Sequence, residues 1–127
     1  MEPVVIVILL ALVEYMVLAA LVGRARFKYR IPAPAITGNP TFERVFRVHQ
    51  NTLENLVIFI PAVWIFGAYL SPAWAAGLGG VFIVARIEYA RGYIAAAEKR
   101  SIGAGISGLV NGALVLGALV GVGRAYF

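Results

Sequence analysis

Arg47-Val48-His49-Gln50-Asn51-Thr52-Leu53-Glu54-Asn55 puts charges and amides at the start of a segment that otherwise reads as membrane-spanning. Ionisable groups are costly in a bilayer, so their clustering needs a reason. A second cluster, Arg86, Glu88, Tyr89, Arg91 and Tyr93, interrupts the next apolar segment. Two such clusters on neighbouring helices suggest one shared polar site, with the rest of the chain arranged around it.

That rest is apolar. Hydrophobic residues make up 61% of 127 and mean hydropathy is +0.87, well beyond the roughly one-half apolar content of soluble domains. Four segments approach the ~20 residues that cross a bilayer core of ~30 Å. They are roughly Pro3 to Val22, Asn51 to Leu70, Ala73 to Tyr89 and Ala104 to Gly123. The fold class expected is therefore all-α, an integral membrane four-helix bundle forming a single domain over residues 1–127. Met1-Glu2-Pro3 offers no basic n-region, and the first apolar run meets arginine rather than a cleavage site, so the first segment is expected to remain as a helix.

No cysteine is present, which excludes disulfides, thiolate metal sites and a cysteine nucleophile; thiol chemistry would need a thiol brought by a substrate, and no metal site is expected. The net charge of +5 is concentrated. Arg24, Arg26, Lys28, Arg30, Arg44 and Arg47 lie in or beside the first connection, Arg91, Lys99 and Arg100 in the third, and none in the second around Ser71-Pro72. The positive-inside rule puts the first and third connections in the cytoplasm and both termini on the far side. A basic stripe interleaved with aromatics is lacking, so no nucleic acid partner is expected.

Prolines 32, 34 and 40 mark the first connection, about residues 23 to 46, as a loop, with Thr41 the expected cap of the second helix. Pro61 predicts a kink. Trp64, Tyr69 and Trp74 flank the short second turn, where aromatic rings favour the interface. Gly108 and Gly112, then Gly117 and Gly121, predict close helix packing for the last segment.

At ~100° per residue, Arg47, Asn51 and Glu54 share one helix face. Arg86, Tyr89 and Tyr93 share another, which Arg100 joins if the helix continues past the membrane. Arg47 with Glu54, or Arg86 with Glu88, would be ordinary snorkelling pairs if taken singly. Three arginines with an asparagine, a glutamate and two tyrosines suit an anionic, polyfunctional ligand better: guanidinium takes carboxylates in two-point contacts, and Asn51 and Glu54 take amides or an ammonium. His49 lies roughly opposite the Arg47 stripe, which favours packing over a role as catalytic base. Glu14, midway along the first segment, needs a partner such as an arginine from a neighbouring helix or subunit.

The run Phe42-Glu43-Arg44-Val45-Phe46-Arg47-Val48-His49-Gln50-Asn51-Thr52-Leu53-Glu54, then Ala85-Arg86-Ile87-Glu88-Tyr89-Ala90-Arg91-Gly92-Tyr93 and Arg100, resembles the MAPEG family, membrane-associated proteins in eicosanoid and glutathione metabolism. It is most similar to the branch holding leukotriene C4 synthase and microsomal glutathione transferases. The resemblance implies a homotrimer with glutathione, the co-substrate, held between subunits near the cytoplasmic side. It further implies that Arg26, Arg47, His49, Asn51, Glu54, Arg86, Tyr89 and Tyr93 bind glutathione and that Arg100 activates its sulfur. His49 replaces a glutamine, Asn55 a tyrosine and Phe27 a second arginine of that branch. The activity implied is glutathione transfer to a hydrophobic electrophile, with reduction of a lipid hydroperoxide as a companion activity. The short loops would suit a bacterial inner membrane, with the site facing the cytoplasm. Two other readings compete: a non-catalytic scaffold of the same architecture that binds membrane lipid, and a small transporter, which would spread polar residues through the membrane depth.

Overall fold

Proline and small polar residues punctuate this chain into helices. Asn39 stands extended before Pro40, and its Oδ1 accepts from the backbone amides of Thr41 and Phe42 at 2.9 and 3.0 Å. Proline at the first helical position loses nothing, because that amide has no partner in any case. Ser71 repeats the device before Pro72, its hydroxyl accepting from the Trp74 amide at 3.2 Å. A computed structural model describes residues 1–127, the side chain of Ala97 apart. The helices are α1 (Glu2–Tyr29), α2 (Pro40–Tyr69), α3 (Pro72–Ala95) and α4 (Ser101–Tyr126), with a 3-10 turn over Ala97–Arg100. There is no strand among the described residues, and all four helices are long and apolar enough to cross a membrane.

Successive helices run antiparallel, so two ends of the bundle can be distinguished. The loop end gathers the C-termini of α1 and α3 with the N-termini of α2 and α4. The far end holds the tight turn at residues 70 and 71. The main core lies toward the far end and is apolar throughout, with Val4, Val7, Phe59, Val63, Phe82 and Leu114 at its centre. Phe59 and Phe82 stack at 4.0 Å between centroids. Large apolar residues such as Ile6, Leu9, Val13 and Met16 of α1 are exposed, as lipid-facing positions are.

Three local expectations change. The first connection is shorter than residues 23 to 46, because α1 continues to Tyr29 through Arg24, Arg26 and Lys28. Arginine and lysine are good helix formers, and their charge ends the apolar run without ending the helix. Arg30 stops it by turning left-handed at φ 56°, and Arg26 Nη1 then holds the loop by donating to Ala35 O at 2.6 Å. The cap of α2 is Asn39 and not Thr41. Finally, α3 ends at Ala95, with Ala96 extended, so Arg100 does not continue its face. Arg44 Nε of α2 donates to the freed Ile94 carbonyl at 3.1 Å, tying that end down.

The glycines of α4 divide. Gly117 packs on the Phe66 ring and Gly121 on Tyr69, whereas Gly108 and Gly112 meet nothing within 4 Å inside the chain. At Gly103 the obstacle is main chain of another helix: a Cβ there would collide with the backbone of Ala85 and Tyr89 in α3.

Candidate functional site

Arg86 is the centre of the polar end. α3 carries it into the bundle, where it is 1% exposed. Its Nη2 donates to Asn51 Oδ1 at 2.8 Å and to Thr52 Oγ1 at 2.9 Å, both on α2. Its Nη1 reaches Ser107 Oγ of α4 at 3.5 Å. A guanidinium presents five donors in a flat fork, which lets one side chain tie several helices at once. No carboxylate lies within ion-pair distance of it among the described residues. Glu88 instead pairs with Arg91 on the surface at 3.7 Å.

The polar chain runs on in both directions. Below Asn51, Asn55 Nδ2 donates to the Asn51 side chain at 3.2 Å, and Asn111 Nδ2 of α4 donates to Asn55 Oδ1 at 3.4 Å. Toward the loop end, the Arg86 guanidinium lies over the Tyr89 ring at 4.2 Å. Tyr89 meets Tyr93 at 5.5 Å between centroids, and Arg100 lies over Tyr93 at 5.7 Å. Arg100 thus reaches the α3 face because the chain turns back through the 3-10 segment, not because the helix goes on.

The other sequence-selected residues are placed differently. Arg47 and Glu54 are exposed on α2, one turn or so to either side of Asn51. His49 points to α1 and stacks on Tyr15, centroids 4.5 Å apart and planes 17° from parallel. Arg26 is occupied at the loop, its guanidinium 5.0 Å from the Phe42 ring. Glu14 faces the other side of Arg86, lining with it a cleft between α1 and α3. Phe27 is 90% exposed.

Thr52, Ser107 and Asn111 were not singled out from sequence. All three are buried polar side chains. Ser107 and Asn111 are spaced i, i+4 in an otherwise apolar, glycine-rich helix, and a polar pair on one face of such a helix is the signal that marks them. Chemically, the loop end assembles guanidinium groups, amides, hydroxyls and tyrosine faces with the exposed carboxylate of Glu54 alongside. That inventory suits an anion that also carries amide and ammonium groups.

Residues 4–120 match the sequence profile of the MAPEG family. An uncharacterized protein of Synechocystis sp. is 50% identical over 113 residues, covering 89% of this chain and 82% of that protein. Microsomal glutathione S-transferase 2 of Homo sapiens is 46% identical over 99 residues, covering 77% and 67% respectively. Leukotriene C4 synthase of Cavia porcellus is 38% identical over 77 residues, covering 61% of this chain and 51% of that protein.

Proposed function

Because this chain belongs to the MAPEG family, we propose that it is a membrane-bound glutathione transferase. Its electrophiles are hydrophobic compounds dissolved in the bilayer; in a companion peroxidase reaction two glutathiones reduce a lipid hydroperoxide to the alcohol and water and leave as the disulfide. The observation that carries the reading is the unbroken line of contacts Asn51, Arg86, Tyr89, Tyr93 and Arg100 at the loop end. It joins two polar clusters far apart in sequence to the arginine expected to act on the sulfur.

Arg47, Asn51, Glu54, Arg86, Tyr89 and Tyr93 hold glutathione in this proposal, with Arg26 and His49 completing the set. Exposure of Arg47 and Glu54 on a membrane helix supports a neighbouring subunit as the other wall, and the family resemblance supplies the number, a homotrimer. Gly108 and Gly112, open within the chain, let a neighbouring helix approach. The basic loop end faces the cytoplasm, where glutathione is dissolved, and the membrane is a bacterial inner membrane.

Arg100 carries the catalytic step. A thiol of pKa ~8.5 is mostly protonated at neutral pH, and lowering it ~2 units takes ~2.7 kcal/mol of preferential thiolate stabilisation. A guanidinium in a partly dehydrated site supplies that much without acting as a base. The thiol proton passes to water, and the thiolate forms the new carbon–sulfur bond as the electrophile's leaving group departs with its bonding electron pair. An apolar cleft of about 370 Å³ between α2 and α4, lined by Ile58, Pro61, Ala62, Ile65, Val115 and Ala118 among others, would receive its tail.

The test is to titrate purified protein with glutathione, recording thiolate absorbance alongside conjugation of a generic aromatic electrophile. Wild type shows the thiolate band and turnover, and Arg100→Ala loses both while still binding glutathione. If wild type neither binds nor ionises glutathione, the assignment fails and the lipid-binding scaffold takes its place.

A further inference from the structure

Glu14 is the one charged side chain between Pro3 and Val22, and the proposed chemistry has no use for it. A carboxylate at that depth persists only with a purpose. Its Oε2 is buried and has no hydrogen-bond partner among the described residues. The cleft it lines, about 470 Å³ between α1 and α3, is also lined by Arg86. The Nε of Arg86 is likewise buried without a partner. One orphan acceptor and one orphan donor therefore belong to two residues that line the same cleft, whose walls are otherwise Val17, Leu18, Leu21, Ile87 and similar residues.

No other group in the cleft can match them. Glu14 is the only acid among its lining residues, and Arg91, its second cation, is engaged with Glu88 outside. The remaining nitrogens of Arg86 are committed, Nη2 to α2 and Nη1 to α4. Nε is the one edge left for α1.

We infer that Glu14 is the counter-ion of Arg86 and, through it, a positioning residue for Asn51 in the ligand site. Three neutral acceptors satisfy hydrogen bonds of a guanidinium but do not cancel its charge, and an uncompensated buried charge is strongly unfavourable. With Glu14 neutralised, Arg86 gains by moving toward water at the loop end. It then releases Asn51 Oδ1, the acceptor it holds at 2.8 Å. The carboxylate of α1 thus fixes the rotamer of an amide on α2 without touching it.

The consequence for ligand affinity rests on the glutathione reading; the charge pairing does not. The experiment compares Glu14→Gln, Glu14→Asp, Arg86→Gln and the Glu14→Gln/Arg86→Gln double variant by thermal unfolding in detergent and by glutathione titration. Glu14→Gln weakens glutathione binding about tenfold, the size of coupling found within one polar network, and lowers the unfolding temperature. Glu14→Asp, which keeps the charge, stays near wild type in both. In unfolding, the double variant loses less than the two single losses combined. Additive losses, or a Glu14→Gln protein that matches wild type in both measurements, overturn the inference. If Arg86→Gln does not fold, the contrast between Gln and Asp at position 14 decides alone. If wild type binds no glutathione, the proposed function falls while the unfolding comparison still decides the pairing.

Discussion

Gly103 sits where α4 lies directly on the α3 backbone, three residues after Arg100 and four before Ser107. Replacing it with alanine puts a Cβ 2.6 Å from Tyr89 N and 2.7 Å from Ala85 O. Both are backbone atoms of a helix, so neither can swing aside. Ordinary contact begins near 3.4 Å, and α4 must retreat by roughly 0.8 Å to reach it. Overpacking of this kind costs about 1–3 kcal/mol. The Arg86 to Ser107 bond, already 3.5 Å, is lost, and Arg100 moves off Tyr93. Misplacement on the order of 1 Å costs catalysis up to ~100-fold. Gly105, two residues on, has nothing within 4 Å, and alanine there gains up to ~1 kcal/mol from helix propensity. Thermal unfolding in detergent and the conjugation assay should therefore move in opposite senses for the two variants: Gly103→Ala is less stable and at least tenfold slower, while Gly105→Ala is as stable as wild type or more so and fully active. Equal stability and turnover in both would refute the close approach and the dependence of Arg100 on it.

Arg47→Ala should weaken glutathione binding by about 1.5–3 kcal/mol, roughly ten- to a hundredfold, and leave the unfolding temperature unchanged, since the side chain is exposed in its own chain; titration and thermal melts check the two halves separately. His49→Ala should cost about 0.5–1.5 kcal/mol of stability through the lost Tyr15 stack, and His49→Phe should restore it in the same melt. Asn39→Ala should cost about 1 kcal/mol by uncapping α2, visible as faster hydrogen exchange at the Thr41 and Phe42 amides, with Asn39→Ser retaining protection.

Hydropathy made the number of helices and their order legible, because four apolar runs of bilayer length leave no other all-backbone solution in lipid. The ends were less legible. Charged residues such as Arg24 and Lys28 terminate a hydropathy window but not a helix, so the last two turns of α1 looked like loop. Asn39-Pro40 is a stronger start signal than Thr41, since the amide oxygen and the N1 proline act together. The end of α3 carries no such mark: Ala95 and Ala96 are small and neutral, and the reversal there is held by the packing of Gly92 on Lys99, the Arg44 bond to Ile94 and the backbone bonds of Ala96 and Lys99. Periodicity rightly put Asn51 and Arg86 on facing helices, where they hydrogen-bond. It could not find Thr52 and Ser107, whose small hydroxyls vanish within apolar runs, nor show that His49 stacks on Tyr15 within the chain.

Depth decides between a site and a path. A conducting bundle needs polar groups along its length, whereas the buried polar side chains of the described residues, Thr52, Arg86, Ser107 and Asn111, all lie on the loop side of Phe59, Phe82 and Leu114. Those three are 0% exposed, and the stacked rings fill the space between α2 and α3. An ion entering from the loop end would have to shed its water against hydrocarbon with no replacement ligand. A molecule that stays at the loop end has no such cost, and a partner dissolved in the bilayer reaches the same polar group sideways along α2 and α4. The apolar half thus acts as a plug and a brace: it holds α2 and α3 at fixed spacing, so that Arg86 meets Asn51 and Thr52 at hydrogen-bond distance instead of escaping to water.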